Sequence, residues 1–336
     1  MSATQWDRVP IETQSIDAPL SQAAVFLVVT VANEAAALAK ACAALDGLND
    51  LVKTVGFRDL SARLSCIVGI GSDLWDRLLP DRRPRDLKSF APIKGAVHAA
   101  PSTPGDLLFH IRSERPDLCF EFERLLLDSL DTGVTVVDEV SGFRYFDARD
   151  LLGFVDGTAN PTGPDLPASA IVGDEDADFA GGSYVVVQKY LHDLGAWGQV
   201  PTPLQEAIVG RTKIDNVEID DDDAPRKSHK SLATVVDAEG NEYDILRDNM
   251  PFGRPGQREF GTYFIGYSRR LWVIETMLQR MYVGDPPGAY DRLLDFSTPQ
   301  TGTTFFAPSR ATLERLVQAA RERGATARPS EAPTPR

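Results

Sequence analysis

Cysteine and histidine are scarce, with three and four residues respectively in a chain of 336. Cys42, Cys66 and Cys119 are too few and too scattered for a disulfide framework or a zinc site. Each sits among apolar neighbours, which points to buried, inert thiols in a reducing setting. No histidine pair has ligand spacing such as H-x-x-x-H, so a multi-histidine zinc or iron centre is not supported. Positive charge is also short: 35 basic residues against 49 acidic ones leave a formal net charge of −14. With no basic run in the sequence, a nucleic-acid partner is not expected, because phosphate binding needs a basic face. The longest apolar stretch, Ala23 to Ala32, is strand-sized and well below the roughly 18 residues of a membrane span. The opening MSATQWDRVPIETQ has neither a basic segment leading into an apolar one nor a twin-arginine pair, so no secretion or transit signal is read and a cytoplasmic location is expected.

Apolar residues make up 43% and charged residues 25%, the balance of a globular protein. The length suits two domains or one two-lobed unit. After a short extension (1–22), the pattern divides near residue 150 into lobes spanning 23–150 and 151–324, followed by a proline-bearing tail (325–336) expected to be disordered. In the first lobe, Ala23 to Val31 reads as a buried strand, with Asn33 capping a helix through Ala44. Leu64 to Ile70 reads as a strand leading into a helix at Ser72, and Asp106 to Ile111 as a strand before a helix over Pro116 to Leu130. Val134 to Val140 closes the lobe. The order β-α-β-β-α-β is that of a ferredoxin-like α+β sandwich, with helices layered on one face of an antiparallel sheet. The second lobe repeats this order from Tyr184 to a last helix capped by Ser309 and stopped by Gly324, with one long insertion over 210–258.

Gly69-Ile70-Gly71 lies between a strand and a helix, but the third glycine of a dinucleotide fingerprint would fall at Leu74, so a tight turn is the better reading. The acidic run from Asp220 to Asp223, near Glu218, lacks EF-hand spacing and reads as a solvated loop. His110 and His192 read as ordinary strand-edge residues. His229 lies in the polar segment Arg226-Lys227-Ser228-His229-Lys230 and precedes a hairpin, with Ser231 to Val236 and Glu242 to Leu246 as its strands. That hairpin would bring His229 and Arg247 to one shared space. Arg247-Asp248-Asn249-Met250-Pro251 then mixes polar heads with apolar turn residues, as a pocket rim would. In Gly153-Phe154-Val155-Asp156-Gly157-Thr158-Ala159-Asn160-Pro161, at the junction of the lobes, Asp156 reads either as a carboxylate aimed into a cleft or as a turn residue bonding its own backbone.

Taken together, these segments resemble the dye-decolorising peroxidase family, in its compact B-type, from about Ala23 to Arg323. The resemblance is carried by Gly153-Phe154-Val155-Asp156-Gly157-Thr158, Gly181-Gly182-Ser183-Tyr184, Gly210-Arg211-Thr212-Lys213, Ser228-His229, Arg247-Asp248-Asn249-Met250-Pro251 and Gly261-Thr262-Tyr263-Phe264-Ile265-Gly266. It implies a duplicated ferredoxin-like fold holding one b-type haem in the C-terminal half. It further implies a peroxidase that reduces hydrogen peroxide to water via a ferryl intermediate and oxidises dyes or phenols in one-electron steps. By the same resemblance His229 is the proximal iron ligand, backed by Asp291 with Asp295 in reserve. Asp156, Arg247 and Asn249 stand on the distal side, Arg211 pairs with a haem propionate, and Thr262 and Phe264 line the cofactor. A homo-oligomer and packaging in an encapsulin shell are implied too. Many relatives carry glutamate where this chain has Ala159, a position linked with manganese binding, which argues against manganese oxidation here. Tyr184, Tyr190, Trp197, Trp272 and Tyr282 are candidates for carrying electrons to surface-bound donors, with a packing role as the alternative for each. A haem carrier on the same fold, or a cofactor-free interaction protein, are the rival readings.

Overall fold

The computed structural model describes residues 12–221 and 223–326; the expected disordered tail lies almost wholly outside them. The N-terminal half runs β1 (Ala23–Val31), α1 (Ala35–Gly56), β2 (Ser65–Ile70), α2 (Ser72–Leu78), β3 (Leu107–Ser113), α3 (Pro116–Leu130) and β4 (Val134–Phe143). The C-terminal half runs β5 (Ser183–His192), α4 (Thr202–Val209), α5 (His229–Ala233), β6 (Leu246–Arg247), β7 (Met250–Arg254), β8 (Glu259–Ser268), α6 (Leu271–Val283), β9 (Thr303–Ala307) and α7 (Arg310–Thr326). Strand order is β4-β1-β3-β2 in one half and β9-β5-β8-β6 in the other, all antiparallel. Each half thus has its fourth strand beside its first and its third beside its second, the ferredoxin-like arrangement expected, twice over. The two sheets join into one through β9 and β2, where Phe306 pairs with Ile70.

Strand alternation divides the core into two layers. Val25, Leu27, Val29 and Val31 of β1 pack with Leu45 and Leu48 of α1 and Phe122 and Leu126 of α3 in the outer, helix-covered layer. Ala24, Phe26 and Val28 turn to an inner layer shared with Val185, Val187, Tyr263 and Ile265 of the other half. Covered on both faces, β1 reads as a continuous apolar run rather than an alternating one. The Phe26 ring stacks on Tyr263 across the halves at 4.2 Å between centroids. Truncating such a side chain to alanine costs about 3–5 kcal/mol.

Several local expectations are corrected. α1 starts after Glu34, with no side-chain cap from Asn33, and runs on to Gly56. Leu48 and Val55 prolong its apolar face, and nothing crowds Gly47, so a glycine worth about 1 kcal/mol of helix does not end it. α7 begins as expected, Ser309 Oγ accepting the Thr312 N–H at 3.3 Å, but passes through Gly324. The segment from Ser231 is not a strand: residues 229–233 are helical, and only Val235–Val236 pairs with Glu242–Tyr243. Ser228 caps that helix, and Leu246–Arg247 joins β8 of the main sheet instead of the hairpin. The turn reading of Gly71 stands, since a Cβ there would lie 2.3 Å from the Gly105 carbonyl oxygen. Cys42 and Cys119 are buried and Cys66 half-buried, and burial raises the pKa of all three thiols. Among the described residues, no helix is long and apolar enough to cross a membrane.

Candidate active site

A cavity of about 440 Å³ opens on the helix-covered side of the C-terminal sheet, within the range of roughly 300–1,000 Å³ usual for small-molecule and cofactor sites. Ile274, Met277, Leu278 and Met281 of α6 give it an apolar wall; Tyr190 and His192 of β5 and Thr262 and Phe264 of β8 form its sheet side. Segment 154–159, α5 and the β6–β7 corner complete it.

His229 reaches the cavity from the first position of α5. In the acidic run expected to be solvated, Asp220 and Asp223 are exposed, but Asp221 anchors this helix, accepting the Ser228 N–H at 2.6 Å and the Ser231 hydroxyl at 2.7 Å. His229 Nδ1 lies 2.6 Å from Oδ2 of the fully buried Asp291, which leaves Nε2 for the cavity. Asp291 is itself fixed: its Oδ1 accepts the Leu293 N–H at 2.9 Å and its own N–H donates to the Met281 carbonyl at 2.8 Å. Burial pulls the imidazole pKa down, but the adjacent carboxylate more than offsets this, and the net shift is upward. Asp295, the other candidate carboxylate, lies 2.9 Å from Nε2 of His98 instead.

Asp156 fits both of its sequence readings. Its Oδ1 accepts the Gly157 N–H at 2.7 Å within the turn, and Gly157 takes a φ of +79° that favours glycine. Its Oδ2 accepts from Asn249 Nδ2 at 3.1 Å beside the cavity. Asn249 Oδ1 in turn accepts the Ile265 N–H at 3.2 Å, so the amide is oriented from both ends. Arg247 also lines the cavity, and its buried Nε has no hydrogen-bond partner among the described residues. Arg211 lines the cavity too, but already donates to the Asn216 carbonyl at 3.1 Å and to Glu218 at 3.2 Å. Thr262 and Phe264 also line the cavity.

Three residues were not singled out by sequence reasoning. Asn160 clamps the backbone of Arg247 from both sides, its Oδ1 accepting the N–H at 3.0 Å and its Nδ2 donating to the carbonyl at 2.7 Å. Its signal was its place at the end of the Gly153–Asn160 motif. His192, expected to be an ordinary edge residue, lines the cavity between Thr262 Oγ1 at 2.9 Å and Ser297 Oγ at 2.8 Å; burial lowers its pKa to about 4. Burial raises Asp150, another lining residue, to about 7 while it accepts the Phe154 N–H. No sequence spacing marks either of these two. Of the aromatic candidates, Tyr184, Tyr190, Trp197 and Tyr282 are buried, with the Tyr190 and Tyr282 hydroxyls 2.8 Å apart; Trp272 is 38% exposed and packs edge-on against Tyr243.

Most of the chain has close relatives. The family descriptions "Dyp-type peroxidase, N-terminal" and "Dyp-type peroxidase, C-terminal" match residues 13–144 and 147–312. A dye-decolorizing peroxidase of Mycolicibacterium paratuberculosis is 54% identical over 300 residues, covering 89% of this chain and 84% of the relative. Among solved structures, DyPB of Rhodococcus jostii superposes with a TM-score of 0.88 at 55% identity, covering 91% of this chain and 99% of that one. Variants of that protein have been solved in complex with heme. An encapsulated DyP-type peroxidase of Mycobacterium smegmatis has the same TM-score at 51% identity, covering 91% and 98%. With both halves matched and a relative 54% identical over 300 residues, the chain belongs to the Dyp-type peroxidase family.

Proposed function

We propose that this protein is a haem peroxidase that reduces hydrogen peroxide to water and oxidises organic donors such as dyes or phenols in one-electron steps. The observation that carries the reading is a single cavity lined both by a carboxylate-backed imidazole, His229 with Asp291, and by an acid, a guanidinium and an amide, Asp156, Arg247 and Asn249. The residues fit one b-type haem per chain. Among the described residues no three His, Cys, Asp or Glu side chains converge as a metal site, and a lone imidazole with Nε2 free suits an iron whose other positions a macrocycle fills. Phe264, Thr262 and the α6 side chains would bear on the macrocycle. Arg211, with Lys230 near it, would face the propionates while shared with Glu218.

When bound, the haem supplies the redox centre at which the peroxide O–O bond is cleaved. Asp291 makes the imidazole of His229 a stronger donor by holding its Nδ1–H, which favours high oxidation states of iron over simple electron shuttling. Asp156, held by Asn249, accepts the proton from one peroxide oxygen and returns it to the departing one. Arg247 stays cationic and stabilises negative charge developing on the leaving oxygen, as oxyanion-hole donors do. The pairing of an acid with a guanidinium favours peroxide cleavage over haem carriage. Ala159 lines the cavity and offers no carboxylate to a cation, so manganese is not proposed as a donor. Bulky donors would be oxidised at the surface, with Trp272 the exposed candidate for the electron's exit. A homo-oligomeric cytoplasmic enzyme, packaged in a protein shell like the Mycobacterium smegmatis relative, completes the proposal.

The test is to express the protein with haem supplied and to follow its absorption spectrum and dye bleaching on peroxide addition. The wild type should bind haem and bleach dye, and His229→Ala should lose most of its haem. A colourless wild type, or tight haem retention by His229→Ala, would overturn the assignment.

A further inference from the structure

Apart from Asp150 at the boundary, every residue lining the cavity lies in the C-terminal half. Among the contacts of the N-terminal half with the elements around the site, one goes to the Arg247–Asn249 span as a buried ion pair. Arg247 and Asn249 both face the cavity, whereas Asp248 between them is turned the other way, into the seam between the halves, where it is 2% exposed. There its Oδ2 accepts from Arg112 Nη1 at 3.0 Å, with His110 Nε2 at 3.8 Å, and its Oδ1 lies 3.7 Å from Arg144 Nη2. All three groups belong to the N-terminal half. Arg112 is 2% exposed and also donates to the Ser15 carbonyl, so the cationic side of the contact is itself held. A buried ion pair adds little net stability over apolar residues of the same volume, and its best-attested use is to fix one arrangement.

We propose that Asp248 is a positioning residue: through Arg112 and Arg144, the N-terminal half holds the Arg247–Asn249 span in register with the cavity. This rests on the peroxidase reading for its consequence but not for its geometry. Asp248 touches no reacting atom; it acts through its two neighbours, whose side chains start from the backbone that it anchors. A displacement of about 1 Å at such a site is enough to cost roughly 100-fold in rate.

The test uses the haem-loaded protein with Asp248→Asn, and with Arg144→Gln as a milder variant should the first fail to fold. Ile67→Val, a truncation in the same inner core layer, is the control for destabilisation alone. Two quantities are read besides Tm: kcat/KM for hydrogen peroxide at saturating dye, and the Kd of fluoride for the ferric protein, which reports how well Arg247 and Asn249 meet a small anion without any turnover. Expected are a fall in kcat/KM of roughly tenfold or more for Asp248→Asn, a parallel weakening of fluoride binding, an unchanged KM for dye, and smaller changes of the same sign for Arg144→Gln. Wild-type kcat/KM and fluoride affinity in both variants, with only a lowered Tm like that of Ile67→Val, would overturn the proposal. A wild type that binds fluoride but turns over no peroxide would sink the peroxidase reading instead, leaving the fluoride series to decide on Asp248.

Discussion

His229 Nδ1 lies 2.6 Å from the Oδ2 of Asp291, a carboxylate with no solvent exposure whose other oxygen is committed to the Leu293 N–H. The carboxylate therefore cannot swing away to water, and its charge bears on the imidazole. Asp291→Asn keeps the shape and removes that charge. The variant should retain haem, show a raised iron reduction potential and reduce peroxide more slowly, because a less basic imidazole is a poorer donor to oxidised iron. Spectroelectrochemical titration checks this, and an unchanged potential would mean that Asp291 only orients the ring.

Asp156 and Arg247 have separable roles that two substitutions can rank. Arg247→Leu removes the fixed positive charge and should retain haem while slowing the peroxide step by roughly 10²- to 10³-fold, the usual effect of losing an electrostatic stabiliser. Asp156→Asn should slow it less, since Arg247 keeps its charge and a water can still carry the proton between the two peroxide oxygens. Stopped-flow measurement at several peroxide concentrations decides; equal or reversed effects would give Asp156 the leading role.

Much of this site was legible in the sequence because its chemistry is concentrated in short motifs. Gly153–Asn160 and Arg247–Pro251 carry the acid, the guanidinium and the amide. Asp291 followed from family resemblance, since nothing in a polar turn marks one aspartate over Asp295; only the fold decides which of them meets His229 and which meets His98. The helix at His229 was hidden for a different reason. Thr234-Val235-Val236 has strong strand propensity, and the capping by Ser228 and Asp221 that overrides it in the preceding residues is a tertiary arrangement. His192 was illegible because its partners, Thr262 and Ser297, are 70 and 105 residues away in sequence. The seam through Asp248 was missed because strand alternation alone cannot tell which buried face a charged residue meets.

Asn160 fixes Arg247 without touching its guanidinium. Both bonds go to the main chain of residue 247, so Asn160→Ala leaves a half-buried N–H and carbonyl without their partner. The expected loss is about 1–2 kcal/mol of stability, with haem content unchanged and a peroxide step slowed by roughly tenfold. Urea unfolding and peroxide kinetics together check it. A stability loss with wild-type peroxide kinetics would show that Arg247 holds its place without the clamp.

His192 and Asp150 give the cavity two opposing pH dependences. The folded protein holds His192 near 4, below its ordinary 6.5, because burial disfavours the imidazolium. Between these values the unfolded chain binds the extra proton, so this residue's contribution rises with pH and is lost as pH falls from about 6.5 towards 4. Asp150 is held near 7, above its ordinary 3.8, because burial disfavours the carboxylate, and here the folded state binds the extra proton. Its contribution is greatest in acid and declines as pH rises from about 3.8 through 7. The two slopes oppose each other over the shared window. Asp150→Asn should uncover a stability that climbs with pH across that window, and His192→Gln one that falls. Unfolding free energies measured in urea at several pH values, each taken as a difference from the wild type, separate them. Differences of the same sign in both variants would mean that burial does not set the two protonation states as described.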